Sequence, residues 1–278
     1  MTQFASNDEF HKLTAGRTDV DLVQLMLDFA ADAYDDLDRV GCLMELDRLG
    51  VQCADAGASD ATLPLPERLA IINRTLSDVA GFHGNREDYY DPRNSYLNDV
   101  LARRTGLPIT LGIVYIAVAS RASVPMFGVN TPGHFVVAAR DKDQTWYVDA
   151  FSFGGVLDQQ ACARQVERMT GDQGVVCDSH FCRASAMQIG ARVLRNLKVA
   201  YAMLDRWPDV LIVQQRLTAL LPDAKEEQRD LGLAYLRAGE PARALGILEP
   251  YLSACPRDQA EALAPSLQAA RRMMAERN

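Results

Sequence analysis

A histidine and an aspartate on two neighbouring β-type segments are the residues best suited to chemistry in this chain. His134 lies in the run HFVVAAR, Asp149 lies in the run TWYVDAF, and the intervening DKDQ favours a hairpin turn. A turn centred on Asp141–Lys142 places His134 directly opposite Asp149, where cross-strand Cβ atoms lie about 4.5–5.5 Å apart. A carboxylate at that distance fixes the tautomer of an imidazole, which then serves as the base in acyl or amide transfer.

Acyl transfer also needs a nucleophile, and no thiol lies near this histidine in the sequence. No cysteine occurs between Cys53 and Cys162. Thr110 carries a hydroxyl in the preceding apolar helix, but a threonine hydroxyl is a poor nucleophile without strong base assistance. Thr110 is therefore either a nucleophile activated by His134 or a first-turn residue that satisfies a backbone donor. His134 and Asp149 are base and orienter, part of a polar binding cleft, or a structural hydrogen-bonded pair.

An aromatic and polar loop before the apolar helix is a candidate binding surface. Its residues are Tyr89, Tyr90, Arg93, Asn94 and Asn98. Arginine and asparagine in such a loop suit a carboxylate or a peptide backbone. The alternative is structural, with Pro92 and Asn94 shaping a turn and the tyrosines packing over the edge of the core.

A central helix and a small sheet must position these groups. Pro108 favours a helix start, because its missing N–H costs nothing in the first turn. The residues from there to Arg121 are apolar on nearly every side, which is typical of a helix in the middle of a domain. The pattern then changes to short β-type runs, first MFGV and then the two that carry His134 and Asp149. The predicted core is one apolar helix packed on an antiparallel sheet.

Helical periodicity dominates the residues before and after this core. Residues 1–18 are polar, and we expect them to be frayed. Apolar positions from Val20 to Leu49 predict two amphipathic helices with a break near Tyr34–Asp36. Further helical segments are predicted for residues 66–80, 95–105 and 157–174.

From about Ala186 onward the chain is helical and repeats itself at an interval of 34 residues. The matching pairs are Leu197 and Leu231, Tyr201 and Tyr235, and Pro222 and Pro256. The second repeat fits the tetratricopeptide consensus at Leu231, Gly232, Tyr235, Ala244, Leu248 and Pro256. Residues 258–276 predict a capping helix.

Three segments together resemble a known bacterial family. GNREDYYDPRNSYLNDVLARRTGLPITLGIVYIAVA, PGHFVV and YVDAF are similar to SirB-type proteins, in which tetratricopeptide repeats follow a transglutaminase-like domain. The resemblance implies an α+β fold for residues 1–185, with a papain/transglutaminase-like core and N-terminal helices. It implies an all-α tetratricopeptide module for residues 186–278, with two repeats and a capping helix.

The resemblance also assigns roles to residues. His134 and Asp149 match the family histidine and aspartate, whereas Pro108 stands where a cysteine is expected after Gly106-Leu107, so Thr110 is the nearest hydroxyl. This predicts a non-catalytic, regulatory scaffold that binds a protein or peptide through its repeats. The alternative is an acyl or amide hydrolase or transferase that uses His134 and Asp149, with Thr110 or water as nucleophile. A third possibility is a compact scaffold inside a larger complex.

Net charge and composition argue against nucleic-acid binding and against a membrane-spanning segment. A net charge of -8 argues against a nucleic-acid binder. The longest apolar run is too short to span a bilayer, and no signal peptide is indicated, so we expect a cytoplasmic chain without a membrane partner.

Cysteine spacing and motif content leave no sign of a metal or cofactor. The six cysteines form no CxxC motif and no disulfide framework. Cys177, His180 and Cys182 fit no zinc pattern, and no phosphate loop or dinucleotide fingerprint is present. We therefore expect neither a metal nor a cofactor, and the oligomeric state stays open.

Overall fold

The computed structural model describes residues 8–142, 144–152, 155–171 and 177–276. The chain divides into two compact units, residues 1–193 and residues 194–278. The division falls inside the helix Ala186–Met203 and therefore differs from the predicted boundary after residue 185. The reason is that the first turns of this helix bond to the first unit, through Arg192 and the carbonyl oxygen of His134.

Seven α-helices of the described residues lie wholly within the first unit: α1 (Asp8–Thr14), α2 (Leu22–Ala30), α3 (Arg39–Cys53), α4 (Leu65–Arg74), α5 (Leu97–Arg103), α6 (Pro108–Arg121) and α7 (Gln159–Thr170). Its described strands are β1 (His83–Gly84), β2 (Thr105–Gly106), β3 (Phe127–Thr131), β4 (His134–Asp141), β5 (Gln144–Val148) and β6 (Val156–Leu157). Helix α8 (Ala186–Met203) leads into α9 (Trp207–Leu220), α10 (Lys225–Arg237), α11 (Pro241–Ala254) and α12 (Arg257–Ala275).

Helix α6 is the buried centre of the first unit and packs on β3 and β4. Leu111, Val114 and Val118 are fully buried, as an apolar helix in the middle of a domain should be. Gly112 allows the close approach to the sheet, because a Cβ at this position would lie 2.7 Å from the ring of Phe135. This arrangement confirms the predicted α+β core. None of the helices in the described part of the chain, α6 included, combines the length and hydropathy needed to cross a bilayer.

The sheet is an antiparallel meander in the order β3-β4-β5-β6. The predicted hairpin register is wrong by two residues, since Val137 pairs with Val148 where the predicted turn pairs it with Trp146. The ladder closes with Asp141 opposite Gln144, where the predicted turn would place Lys142 opposite Asp141. Asp143 lies outside the described residues. A shift of two keeps every side chain on its predicted face, because side chains alternate with a period of two.

The N-terminal region is more ordered than its polarity predicts. Residues 8–18 were expected to fray, but Asp8–Thr14 forms α1, and Phe10 and Leu13 are each only 2% exposed. The ring of Phe10 packs on that of Phe29 in α2, with centroids 6.1 Å apart. Two buried apolar side chains therefore outweigh the polar composition, while residues 1–7 lie outside the described part.

A short parallel pairing of β1 with β2 has no counterpart in the sequence analysis. His83 pairs with Thr105, and Gly84 pairs with Gly106. The pairing fastens the segment after α4 to Thr105 and Gly106, which lie just before Leu107 and the start of α6. Two-residue strands are too short to give a periodic signal.

The second unit is a run of packed helical hairpins. Helix α10 packs on α9 and α11, and α11 packs on α12. Gly232 allows α10 to approach α11, because a Cβ there would lie 2.6 Å from Leu248. Leu248 and Ala244 are fully buried at this crossing. The small and apolar positions of the tetratricopeptide consensus therefore perform the packing that the sequence predicts.

Candidate functional site

His134 and Asp149 meet inside the first unit. The Nε2 atom of His134 lies 3.0 Å from Oδ1 of Asp149, and the two side chains are 3% and 1% exposed. Oδ1 of Asp149 also accepts hydrogen bonds from the backbone N–H groups of Phe151 and Ser152, at 3.0 and 3.2 Å. Oδ2 accepts a hydrogen bond of 2.7 Å from Nε2 of Gln165 in α7. The turn after β5 and a helix thus fix the carboxylate beside the imidazole.

The carboxyl group of Asp149 is held in its charged form. Burial acts to raise its pKa, because the ion loses hydration. The imidazole of His134, the N–H of Phe151 and the amide of Gln165 outweigh burial and hold the pKa below its usual value. The distance from Nε2 of His134 to Oδ1 of Asp149 is short enough for an ion pair. The geometry at Nε2 does not meet the requirements of a hydrogen bond.

The backbone of His134 is fixed at the tip of the β3–β4 hairpin. Its carbonyl oxygen accepts hydrogen bonds of 2.9 Å from both Thr131 Oγ1 and Arg192 Nη1. Arg192 also donates to Oδ1 of Asn130 at 3.1 Å. The Phe151 ring and the imidazole form a T-shaped pair, with centroids 6.2 Å apart. No sequence motif marks Arg192 or Gln165, because both contribute from helices distant in the chain.

The start of α6 presents no free nucleophile to His134. Pro108 is the first residue of the helix, where the family resemblance expects a cysteine. The hydroxyl of Thr110 donates to the carbonyl oxygen of Asn94 at 2.6 Å and accepts from the N–H of Leu107 at 3.1 Å. Thr110 is fully buried. Within the described residues its hydrogen bonds cap the helix and do not reach His134.

The thiols of the chain do not replace the missing cysteine. All six cysteines are free, and all fall within the described residues. Burial raises the pKa of Cys53 to about 11 and that of Cys162 to about 12, with the charge of Asp149 adding to the latter. Both thiols are therefore protonated at neutral pH. Across the described chain no hydrogen bond joins a cysteine sulfur to His134.

Tyr89 and Tyr90 form an aromatic wall beside the pair. Their rings meet edge to face with centroids 5.4 Å apart. The ring of Tyr89 also meets that of Phe151 edge to face, with centroids 6.1 Å apart. The guanidinium of Arg86 lies over the Phe151 ring, 5.1 Å from its centroid. Tyr89 and Tyr90 are 38% and 48% exposed, so this wall extends from buried His134 to solvent.

The other three residues of the predicted binding loop, Arg93, Asn94 and Asn98, are not part of this aromatic wall. Arg93 forms an ion pair of 2.9 Å with Asp91. Asn94 is fully buried, and its Nδ2 donates to the carbonyl oxygen of Asp88 at 2.7 Å, so it shapes the loop. Asn98 lines a separate cleft between α3 and α5. The five residues grouped in the sequence therefore do not form one surface.

The cysteine-histidine segment near residue 180 forms an exposed turn. The sulfur of Cys177 lies 3.4 Å from Nδ1 of His180 and 2.9 Å from Oγ of Ser179. In the part of the chain that the structure describes, no three side chains of the metal-binding types converge.

Two family profiles match this chain. The profile described as Transglutaminase-like superfamily matches residues 41–195. The profile described as Tetratricopeptide repeat matches residues 197–275. The first spans the described site, and the second spans the helical hairpins.

Several curated proteins are similar in sequence. A "UPF0162 protein" from Xylella fastidiosa is 39% identical over 196 residues, which is 69% of each chain. A "UPF0162 protein" from Vibrio cholerae is 26% identical over 184 residues, or 66% of this chain and 68% of the relative. The mouse "F-box only protein 21" is 40% identical over 102 residues, or 34% of this chain and 16% of that protein. No solved structure matches the chain.

Proposed function

The chain belongs to the UPF0162 family of SirB-type proteins, in which tetratricopeptide repeats follow a transglutaminase-like domain, and we propose that it is a non-catalytic scaffold that binds a protein through its repeats. The observation that carries the proposal is the start of α6. Pro108 cannot attack a carbonyl carbon, and the hydroxyl of Thr110 is committed to capping the helix. An imidazole and a carboxylate without a nucleophile form a structural pair rather than an acyl-transfer site.

The repeats supply surface of the kind that a protein partner covers. Tetratricopeptide repeats generally mediate protein–protein interaction. Val199, Met203 and Leu204, at the end of α8, are 44%, 61% and 55% exposed. Three adjacent exposed aliphatic side chains are costly in water, and burying them against a partner would be favourable.

Charged groups near this apolar cluster are held in fixed positions. Glu227 of α10 is 4% exposed and accepts a hydrogen bond of 2.8 Å from Arg195 of α8. Lys198 bridges Glu227 and Asp230 at 3.3 and 2.9 Å. Ordered charges beside apolar side chains give an interface specificity as well as affinity, which supports a protein partner over a nonspecific contact.

Photo-crosslinking in the full-length protein tests the scaffold. A photoreactive amino acid at Met203 should capture one or a few discrete proteins in native cells. The same amino acid at Arg257, whose side chain is 92% exposed at the start of α12, serves as the matched position away from the apolar cluster. Capture at Met203 should persist in a His134→Ala background. Equal capture at both positions, or none at Met203, contradicts the proposal.

One observation favours a second function, hydrolysis of an acyl or amide bond. The 3.0 Å contact between His134 and a charged Asp149 would orient the imidazole to activate a water molecule. Water is the better attacker than Thr110, because the threonine proton is donated to Asn94. Turnover that His134→Ala abolishes in a folded protein would establish this function and displace the scaffold proposal.

A further inference from the structure

One arginine beside His134 carries a charge that no acidic group of the described residues balances. Arg192 lies near the start of α8, within the first unit, and is half-buried. Its Nη1 atom donates to Oδ1 of Asn130 at 3.1 Å and to the carbonyl oxygens of Thr131 and His134 at 3.4 and 2.9 Å. All three acceptors are neutral, so these bonds fix the guanidinium without neutralising it.

Burial of this charge is costly. It lowers the pKa of Arg192, because the guanidinium loses hydration. Among the described groups only the hydroxyl of Tyr89 acts on this pKa in the opposite direction, and no carboxylate does. A charge that is withdrawn from water without gaining an opposite charge destabilises the fold. A bound anion would offset that cost.

The guanidinium of Arg192 uses only one of its three nitrogen atoms. Nε and Nη2 make no hydrogen bond with the described residues, and neither is among the fully buried polar atoms, so both are open to solvent. The N–H groups on this edge are parallel and match the two oxygens of a carboxylate. A donor that only held the hairpin would need neither this edge nor a positive charge.

Tyr89 adds a second donor next to this edge. The charge of Arg192 acts to lower the pKa of Tyr89, against the larger effect of burial, so the two groups are neighbours. The Tyr89 hydroxyl makes no hydrogen bond with the described residues and is available to a ligand. The Tyr89 ring meets that of Phe151, which forms the T-shaped pair with His134. Apolar ring surface therefore lies beside the two donors.

The acidic groups of this region leave the charge of Arg192 in place. Asp149 is buried and fixed by the bonds described above, whereas Glu87 and Asp88 are exposed in the segment that carries Arg86. None of the three carboxylates acts on the pKa of Arg192. Exposed charges are screened by water and salt, so Glu87 and Asp88 oppose an anion less than the half-buried guanidinium attracts it.

We propose that Arg192 and Tyr89 form a binding subsite for a carboxylate that has an apolar group beside it. The two carboxylate oxygens accept hydrogen bonds from Nε and Nη2 of Arg192, and the hydroxyl of Tyr89 donates to one of them. The apolar group of the ligand packs on the rings of Tyr89 and Phe151. The subsite lies in the first unit and is separate from the surface that we propose for the repeats.

Isothermal titration calorimetry on the full-length protein tests the subsite. The main probe is acetyl-Leu-Phe with a free C-terminal carboxylate, and its control is the C-terminal amide, which has nearly the same shape without the charge. We expect the acid to bind and the amide to bind at least about tenfold more weakly.

Two further probes identify the source of the carboxylate. Acetyl-Glu-Phe amide carries only a side-chain carboxylate, and 3-phenylpropionate is a free acid without a peptide group. Tighter binding of the glutamate peptide than of the main probe supports the subsite and assigns it to an acidic side chain. Equal binding of 3-phenylpropionate supports it and shows that no peptide group is needed.

Three variants separate the subsite from a structural role and from overall charge. Arg192→Gln keeps an N–H donor for the hairpin but loses the charge, and should weaken the acid about tenfold while leaving the amide unchanged. Tyr89→Phe keeps the ring and should weaken the acid alone, about threefold. Arg140→Gln removes the same charge from an exposed position on β4 and should change neither affinity.

A merely structural Arg192 predicts a different pattern. Arg192→Gln would then lower the Tm and leave the ratio of acid to amide affinity unchanged. That result, equal binding of acid and amide by the wild type, equal losses in Arg140→Gln and Arg192→Gln, or no binding of any of the three acids at about 10 mM overturns the proposal. Tyr89→Phe breaks no hairpin bond and decides the question if Arg192→Gln does not fold. Crosslinking at Met203 tests the repeats, so either proposal can fail without the other.

Discussion

His134 Nε2 and Asp149 Oδ1 lie 3.0 Å apart although their backbones are not opposite each other in the sheet. The last pair of the β4–β5 ladder is Val137 with Val148, so Asp149 lies just beyond the end of its strand. Both side chains point to one face, and diagonal neighbours on a face are within reach of an imidazole. The pair is therefore built by side-chain reach and by the turn after β5, which makes it sensitive to the bonds that hold the carboxylate.

Removing the carboxylate should destabilise the first unit. Asp149→Ala leaves His134, Gln165 and two backbone N–H groups without their buried partner, and we expect a loss of about 2–4 kcal/mol in the free energy of unfolding. Asp141→Ala removes an exposed carboxylate from the same hairpin and should change stability by less than about 0.5 kcal/mol. Urea unfolding followed by circular dichroism measures both. Equal losses would contradict the described network.

Acid should remove the stability that the charged carboxylate of Asp149 contributes. The pKa of Asp149 in the folded state lies below the usual value of an aspartate, because His134, the N–H of Phe151 and Gln165 stabilise the charged form, so the unfolded chain binds the proton more readily. The stabilisation is complete above that value and is lost as pH falls through the lower, folded-state pKa. The difference in unfolding free energy between wild type and Asp149→Asn should be constant from neutral pH to about pH 5 and shrink below it. A difference that grows on acidification would show that the sign is wrong.

Thr110→Val distinguishes a helix cap from a nucleophile. Valine has nearly the same shape but removes the hydroxyl that bonds both the carbonyl oxygen of Asn94 and the N–H of Leu107, and these two groups keep only their 3.2 Å hydrogen bond to each other. We expect a loss of about 1–3 kcal/mol in unfolding free energy and a lower Tm, with Thr110→Ser restoring most of it. A catalytic hydroxyl predicts the reverse, an unchanged Tm with lost turnover.

Two glycines of the repeat module form a matched pair. A Cβ at Gly232 would lie 2.6 Å from Leu248, whereas a Cβ at Gly246 meets nothing within 4 Å. Gly232→Ala should cost about 1–3 kcal/mol by forcing α10 and α11 apart. Gly246→Ala should be neutral or stabilising by about 1 kcal/mol, because alanine favours the helix. Thermal unfolding measures both, and similar effects at the two positions would contradict the packing.

The sequence predicts where the helices and strands of this chain lie better than it predicts how the strands pair. Pro108 and the apolar run after it predict α6 from its first to its last residue, because such a helix carries a strong local signal. The hairpin register is missed by two residues because either turn keeps the same apolar face inward, and the pattern alone does not choose between them. The sequence analysis therefore predicts that His134 and Asp149 meet, but it predicts them as directly opposite residues, whereas they are diagonal neighbours.

The surroundings of the site are beyond sequence reasoning. Gln165 and Arg192 reach the pair from α7 and α8, and nothing in their local sequence marks those contacts. Asn98 and Arg93 lie a few residues from Asn94, yet they face different surroundings, because a helix turns neighbouring side chains in different directions. Grouping by sequence distance therefore fails where a loop passes into a helix.

Ammonia release from a glutamine-containing peptide tests the central claim most directly, namely that no nucleophile faces His134. Wild-type protein and His134→Ala, both shown to be folded by circular dichroism, are incubated with the peptide at neutral pH. We predict that both release ammonia at the rate of the peptide alone. Release by the wild type that His134→Ala abolishes would contradict this account and make the chain an enzyme.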